Sequence, residues 1–445
     1  MAPSNFGALF PSLRVLDYSV ISVAAPTIHL LTKVLSAERH LGSMTSLCVI
    51  CPRASQPEEV YDLFQAIRTK ATQLESLKIE SFTSAAPNST LSVQLAEGEF
   101  KFLRKLELSW TIHVSAECLT CLVQMEYLQE MSLCLRRDIG LESLANSYSS
   151  AETRDHTKTT RKRTFPVLRS LKVMAYSLDQ CTTLLSLITS PLFDSITLSY
   201  DVQAPSAVLE AFFHQVQKTC QDAVTDSPST ALFPPRTISL TLKHNLGPFS
   251  SAAPPFLVHP SQTLSPLLAL QHLRTLRLLH LGTIAMDDGF LREAASAWGA
   301  HLQEFEECGI PWVGVEDSNS IPGFVAATLD GVGEFMRQCP RLERLRVAFD
   351  GRSLPKPEAC LDEPKGTQGE QEEALEMDES QDAPFSSSVL QVLNVRDSPI
   401  DDPEGVAKFL KCVAPALRVI CVEGSLDMWR KWREVEDRMK LTGAS

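Results

Sequence analysis

The sequence predicts an α/β solenoid with an inner parallel sheet and outer helices. Two observations predict it: a short strand pattern that recurs thirteen times, and helix-period apolar stripes that lie between the copies in a single phase. A third makes it physically affordable. The 445 residues are 44% apolar and 21% charged, enough to build a large buried core.

The strand pattern is an apolar residue followed three and then five positions later by two more, LxxLxL. Clear copies begin at Leu13, Met44, Leu74, Leu103, Leu128, Leu168, Phe193, Leu273, Leu342, Leu390 and Leu417. Two weaker copies complete the set. One starts at Thr237, with Leu240 and Leu242; the other starts at Leu302, where Phe305 fits and Glu307 does not.

Between the strands, four segments place apolar residues at i, i+3, i+4 and i+7, the spacing of one helix face. They are Val60, Leu63, Phe64, Ile67; Leu209, Phe212, Phe213, Val216; Val332, Phe335, Met336, Cys339; and Val406, Phe409, Leu410, Val413. The first also has Pro57, Glu58 and Glu59 at its start and Arg68 and Lys70 near its end, the polarity a helix dipole favours. A single strand and helix cannot bury their own stripe, so the units must stack. That is the signature of a leucine-rich-repeat horseshoe.

Leu13 to Leu417 spans twelve intervals of about 34 residues, longer than the usual repeat of roughly 20 to 29. About a dozen irregular repeats are therefore expected in a single solenoid over 1–445, with insertions taking up the excess. Loops are expected at 137–164, which carries the basic run Lys158 to Arg163, at 246–263, rich in Pro and Ser, at 312–322, and at 351–388. The last is acidic, and its composition cannot offset the entropy of ordering. A capping helix is expected over 426–445, with Trp429, Trp432, Val435 and Met439 on one face. Only Asn245 occupies the slot where regular repeats carry Asn or Cys, so no asparagine ladder is expected.

The net charge is −13, a poor match to nucleic acid or an anionic membrane. Much of it is local: Asp350 to Asp382 holds eleven acidic and three basic residues, leaving −5 for the remainder. The first thirty residues lack the charged start and clean apolar stretch of a secretory signal, and no apolar run is long enough to span a bilayer. Cysteines dispersed singly through apolar patterns suit a reducing compartment, cytoplasm or nucleus. The run at 158–163 could also be read as a nuclear import signal.

Catalysis, cofactors and metals are not expected. There is no GxxxxGK[ST], GxGxxG or HExxH. The pair Cys48 and Cys51 lies on a strand, where i and i+3 point to opposite faces, and Cys118 with Cys121 reads as helix core.

On an LxxLxL strand, the residues between and just after the last two apolar positions point away from the core. In the later repeats these are Arg277, Glu304, Glu306, Arg344, Arg346, Asn394 and Arg396, and this charge-patterned inner face is the expected protein-binding surface. Earlier repeats offer mostly Ser, Thr and scattered charges. Trp298 reads as core, and Trp110 and Trp312, which follow strands, as rim aromatics that could meet a partner.

The stretches "SPLFDSITLSYDVQAPSAVLEAFFHQVQKTC" (190–220), "SPLLALQHLRTLRLLHLG" (265–282), "WGAHLQEFE" and "CPRLERLRV" resemble the divergent F-box and leucine-rich-repeat proteins numerous in mushroom-forming fungi. The likeness covers most of 165–425. It implies substrate recognition for a Skp–cullin–F-box ubiquitin ligase, with the repeats selecting an unknown protein target. The first repeat strand is expected from Phe10, so no F-box is expected within this sequence, and a Skp-type adaptor is expected as partner only if one lies upstream of Met1. The first repeat would then lack a polar cap. The alternative reading is a free-standing repeat scaffold or inhibitor with no ubiquitin role.

Overall fold

A computed structural model describes residues 14–19, 32–33, 35, 43–51, 62–63, 65–67, 69, 71–81, 100–109, 111–135, 137–150, 164–225, 238–245, 258–308, 327–355 and 389–440. Every one of the thirteen pattern copies produces a strand. The expected single solenoid divides into two compact units: Met1–Pro234 with Leu242–Gly247, and Pro235–Thr241 with Pro248–Ser445.

In the first unit the repeat strands are β1 (Val15–Ser19), β2 (Ser46–Cys51), β3 (Ser76–Ser81), β4 (Lys105–Leu108), β5 (Glu130–Leu135), β6 (Ser170–Ala175) and β7 (Ser195–Tyr200). Each pairs in parallel with the next. The register aligns like positions, so that Leu16, Leu47, Leu77, Leu106, Met131, Leu171 and Ile196 form one row. From Leu47 onward this row is buried. Strand β8 (Ile238–His244) holds the boundary between the units, with Leu242 onward in the first.

Helices α1 (Ala116–Leu122), α2 (Leu141–Ser150), α3 (Leu178–Ser186) and α4 (Ser206–Thr225) follow strands of this unit. The stripe Leu209, Phe212, Phe213 and Val216 on α4 is fully buried, as are Leu63 and Ile67 of the earlier helical segment. The segment 137–164, expected as a loop, contains α2, which buries Leu141 and Leu144 and packs beside α3. Two apolar contacts are too few to reveal that helix by periodicity.

The second unit repeats the plan with β9 (Leu273–Leu279), β10 (Glu304–Cys308), β11 (Arg344–Arg346), β12 (Val392–Arg396) and β13 (Val419–Val422), again parallel neighbours in sequence order. Its helices are α5 (Asp288–Trp298), α6 (Leu329–Gln338), α7 (Pro403–Val413) and α8 (Leu426–Met439). Each begins with a side chain that accepts a hydrogen bond from an otherwise unpaired backbone N–H: Asp287, Thr328, Asp402 and Ser425. Within 246–263, also expected as a loop, lies the short strand Val258–Pro260, followed by the 3₁₀ helix Ser261–Ala269. Of 351–388 only residues 351–355 are described; Gly351 bridges to Ile400.

The stripes on α6 and α7 are buried, and these helices approach closely because Gly333 has no side chain: a Cβ there would lie 2.2 Å from the Phe409 ring. Trp298 is fully buried, its indole N–H donating to the Leu267 carbonyl at 3.0 Å. Helix α8 closes the far end of the unit's core. Trp432 is completely buried, meets the Phe349 ring edge-on, and donates to the Ser398 carbonyl at 2.9 Å. Trp429, expected on the same face, is 48% exposed instead; the buried face is Trp432, Val435 and Glu436.

Two outcomes follow from this packing. Trp432→Ala should cost about 3–5 kcal/mol in urea unfolding of the second unit, whereas Trp429→Ala should change stability by less than about 0.5 kcal/mol. Leu345→Asp places a carboxylate in the repeat core and should abolish cooperative melting; a variant that melts like the parent would show that the strand register is wrong.

Candidate protein-binding face

Each unit presents one face of its parallel sheet that no described element covers. Strand alternation sets this up: in β7 the buried residues are Ile196, Leu198 and Tyr200, while Ser195, Thr197 and Ser199 between them point the other way.

In the second unit the expected surface residues fall into lateral rows. Arg277 lies beside Glu306, which lies beside Arg346, which lies beside Asn394; Glu304 lies beside Arg344. The charges alternate across strands, and the side chains pair accordingly. Arg277 contacts Glu304 at 2.6 Å and Glu306 at 3.7 Å, and Arg344 reaches Glu304 at 3.8 Å. Arg346 pairs with Glu423, which also accepts from the Asn394 amide at 3.0 Å. Glu423 follows β13 and is the acidic member of this array that inner-face counting missed. Arg344 is the most open cation of the set, its side chain 54% exposed, against 22% for Arg346.

Arg396 is the exception. Expected on the inner face, it is buried, with 1% of its side chain exposed, and donates to Glu307 at 3.0 Å, itself 3% exposed. The backbone explains the reversal. The register between β12 and β13 shifts between Asn394 and Arg396, and Arg396 takes φ +55°, turning its side chain inward. Glu307 is the residue that breaks the LxxLxL pattern of the Leu302 copy. It occupies a core slot beside Leu278 and is neutralised there by an arginine from two strands away.

Burial pushes the Glu423 carboxyl up, but hydrogen bonds from Asn394 and Arg346, with the charges of Arg346 and Arg396, outweigh it and hold it below its ordinary range. A folded value below the unfolded one makes the contribution complete above about pH 4.5 and lost as the pH falls through the folded value.

In the first unit a cleft of about 490 Å³ lies over the inner face of β3 to β7, lined among others by Lys78, Glu107, Ser132, Lys172, Met174 and Ser199. Nothing in the sequence singled this cleft out, because its lining is spread over five repeats. Of the cysteines considered for a metal, Cys118 is buried and its thiol is pushed up to about 12 by that burial, aided by Cys121 and Glu117. Trp110, Trp312 and the basic run 158–163 lie outside the described residues. Among the described residues no helix is long and apolar enough to cross a membrane.

No protein-family model matches the chain, and no curated protein sequence does. One solved structure similar to it is titled "Crystal structure of Rad7 and Elc1 complex in yeast", with 11% identity, 93% of this chain and 77% of the other covered, and a TM-score of 0.39.

Arg396→Met strands the buried Glu307 carboxylate and should cost about 3–5 kcal/mol, while the double variant with Glu307→Leu should recover most of the loss. Arg344→Ala, at an exposed pair, should change stability by at most about 1 kcal/mol. Thermal melts between pH 3 and 7 should fall steeply in acid, and Glu423→Gln should flatten that acid limb.

Proposed function

We propose that this chain is a protein-binding repeat module without catalytic activity, and that the uncovered sheet faces are its docking surfaces. One observation carries the reading. Parallel sheets are ordinarily buried on both faces, yet here core and helices cover one face, and the other presents rows of polar and charged side chains. In the second unit those charges largely neutralise one another, which suits a protein surface with its own mixed charges better than a polyanion.

The finer reading is the target-recognition part of a Skp–cullin–F-box ubiquitin ligase. It rests on the family-like stretches at 190–220 and 265–350, and it needs an F-box to reach a Skp adaptor. Cytoplasm or nucleus is the compartment that goes with it.

The test is photo-cross-linking in the source cells, with the full chain carrying a benzophenone amino acid at Arg344, at Ser132 or, on the outer helix α7, at Lys408, whose side chain is 75% exposed. Adducts with one identifiable protein should form from Arg344 and Ser132 and not from Lys408; adducts from Lys408 alone would overturn the docking reading. If the captured protein acquires ubiquitin in a manner that depends on this chain, the ligase reading holds. A stable adduct without ubiquitin transfer would favour the scaffold.

A further inference from the structure

The docking reading leaves open what kind of partner the first unit takes, and the charge layout of its inner face addresses that. One lateral row across the sheet reads Asp17, Cys48, Lys78, Glu107, Ser132, Lys172 and Thr197. Its two halves behave differently.

On the β3 to β5 side the cations are already occupied. Lys78 contacts Glu80 at 2.7 Å and Glu107 at 3.9 Å; Lys105 contacts Glu107 at 2.9 Å and Glu130 at 3.0 Å. Two ammonium groups sit among three carboxylates, so the positive charge of Lys78 and Lys105 is already matched.

On the β6 to β8 side two inner-face lysines, Lys172 and Lys243, have no partner among the described residues. Lys172 is exposed within the cleft, its lateral neighbours are Ser132 and Thr197, and it has no ionic or hydrogen-bond partner among the described residues. Lys243 is exposed between the buried Leu242 and His244, which places it on the same inner face, and it too has no such partner. Asp201, which follows β7, accepts from the Asn245 amide at 3.1 Å. Around Lys172 the cleft supplies the hydroxyls of Ser132 and Ser199 and, two residues along the same strand, the half-buried Met174; its carboxylates, Glu80 and Glu107, lie toward β3 and β4, where Lys78 and Lys105 pair with them.

We infer that this cleft takes an acidic segment of a partner protein, with Lys172 as the carboxylate anchor, Lys243 as a second contact, and Met174 as the seat for an apolar side chain beside the acid. The inference rests on the docking reading and names its partner's chemistry. An ammonium with no partner among the described residues and with hydroxyl groups beside it gains a charge-assisted contact without breaking an existing pair, whereas an acid approaching Lys78 or Lys105 meets the carboxylates already gathered there. The protein as a whole carries −13 and repels acidic chains, so attraction of one must arise locally.

The experiment is fluorescence anisotropy of labelled octaglutamate and octalysine peptides titrated with the full chain and with Lys172→Glu, Lys172→Arg, Lys243→Glu and Lys408→Glu variants, each checked for unchanged melting. Octaglutamate should bind saturably. Lys172→Glu should weaken it about tenfold and Lys243→Glu measurably less, while Lys172→Arg and Lys408→Glu should leave it within about twofold. Preference for octalysine, absence of octaglutamate binding, or equal losses in Lys172→Glu and Lys408→Glu would overturn the inference. The docking reading fails separately: cross-links from Ser132 that persist in Lys172→Glu leave it standing and remove the acidic partner, whereas no adducts from any inner position remove the docking reading itself.

Discussion

The structure depends on a single constraint: no repeat can bury its own apolar side chains. The period of two along a strand sends the last two apolar residues of LxxLxL to one side, the first is buried from the turn just before the strand, as Met44, Leu74 and Leu103 are, and the following helix presents a matching stripe. Each buried Leu, Ile or Phe gained this way is worth about 1.5–3 kcal/mol, but only when a neighbouring repeat closes the gap. The end of such a stack must be plugged. In the second unit Trp432 does this, offering a large ring to Phe349 and satisfying its own N–H on Ser398.

The same constraint explains why the one break in the pattern matters. Glu307 stands where every neighbouring strand places an apolar group, and a lone carboxylate there would be ionised at great cost. Arg396 answers it from two strands away, at the expense of a register shift and a left-handed backbone. Such a pair adds little net stability relative to an apolar filling, but it ties β10 to β12 and punishes any other register by leaving a buried charge unmatched. The paired rows on the inner face extend the same cross-strand matching to solvent.

Much of this was legible in the residues. All thirteen LxxLxL copies became strands, even the weak ones at Thr237 and Leu302, because a spacing rule needs no knowledge of partners. The stripes at Leu209, Val332 and Val406 became helices for the same reason. What escaped were features set by tertiary geometry. Arg396 follows the alternation in sequence and departs from it only through a bulge; Glu423 enters the array because Arg346 and Asn394 converge on it; α2 has only Leu141 and Leu144 to declare it. The misfit at Glu307 was visible, and a buried acid in a core slot calls for a cation on a nearby strand. That signal could have located Arg396.

The claim that the polar sheet face is the working surface is most directly tested by mass-spectrometric lysine labelling of the chain, free and saturated with its cross-linked partner protein. The account predicts that Lys172 labels readily in the free protein and is protected at least several-fold in the complex, with Lys408 unchanged. Protection of Lys408 with Lys172 still fully reactive would contradict it, and would move the working surface to the helices.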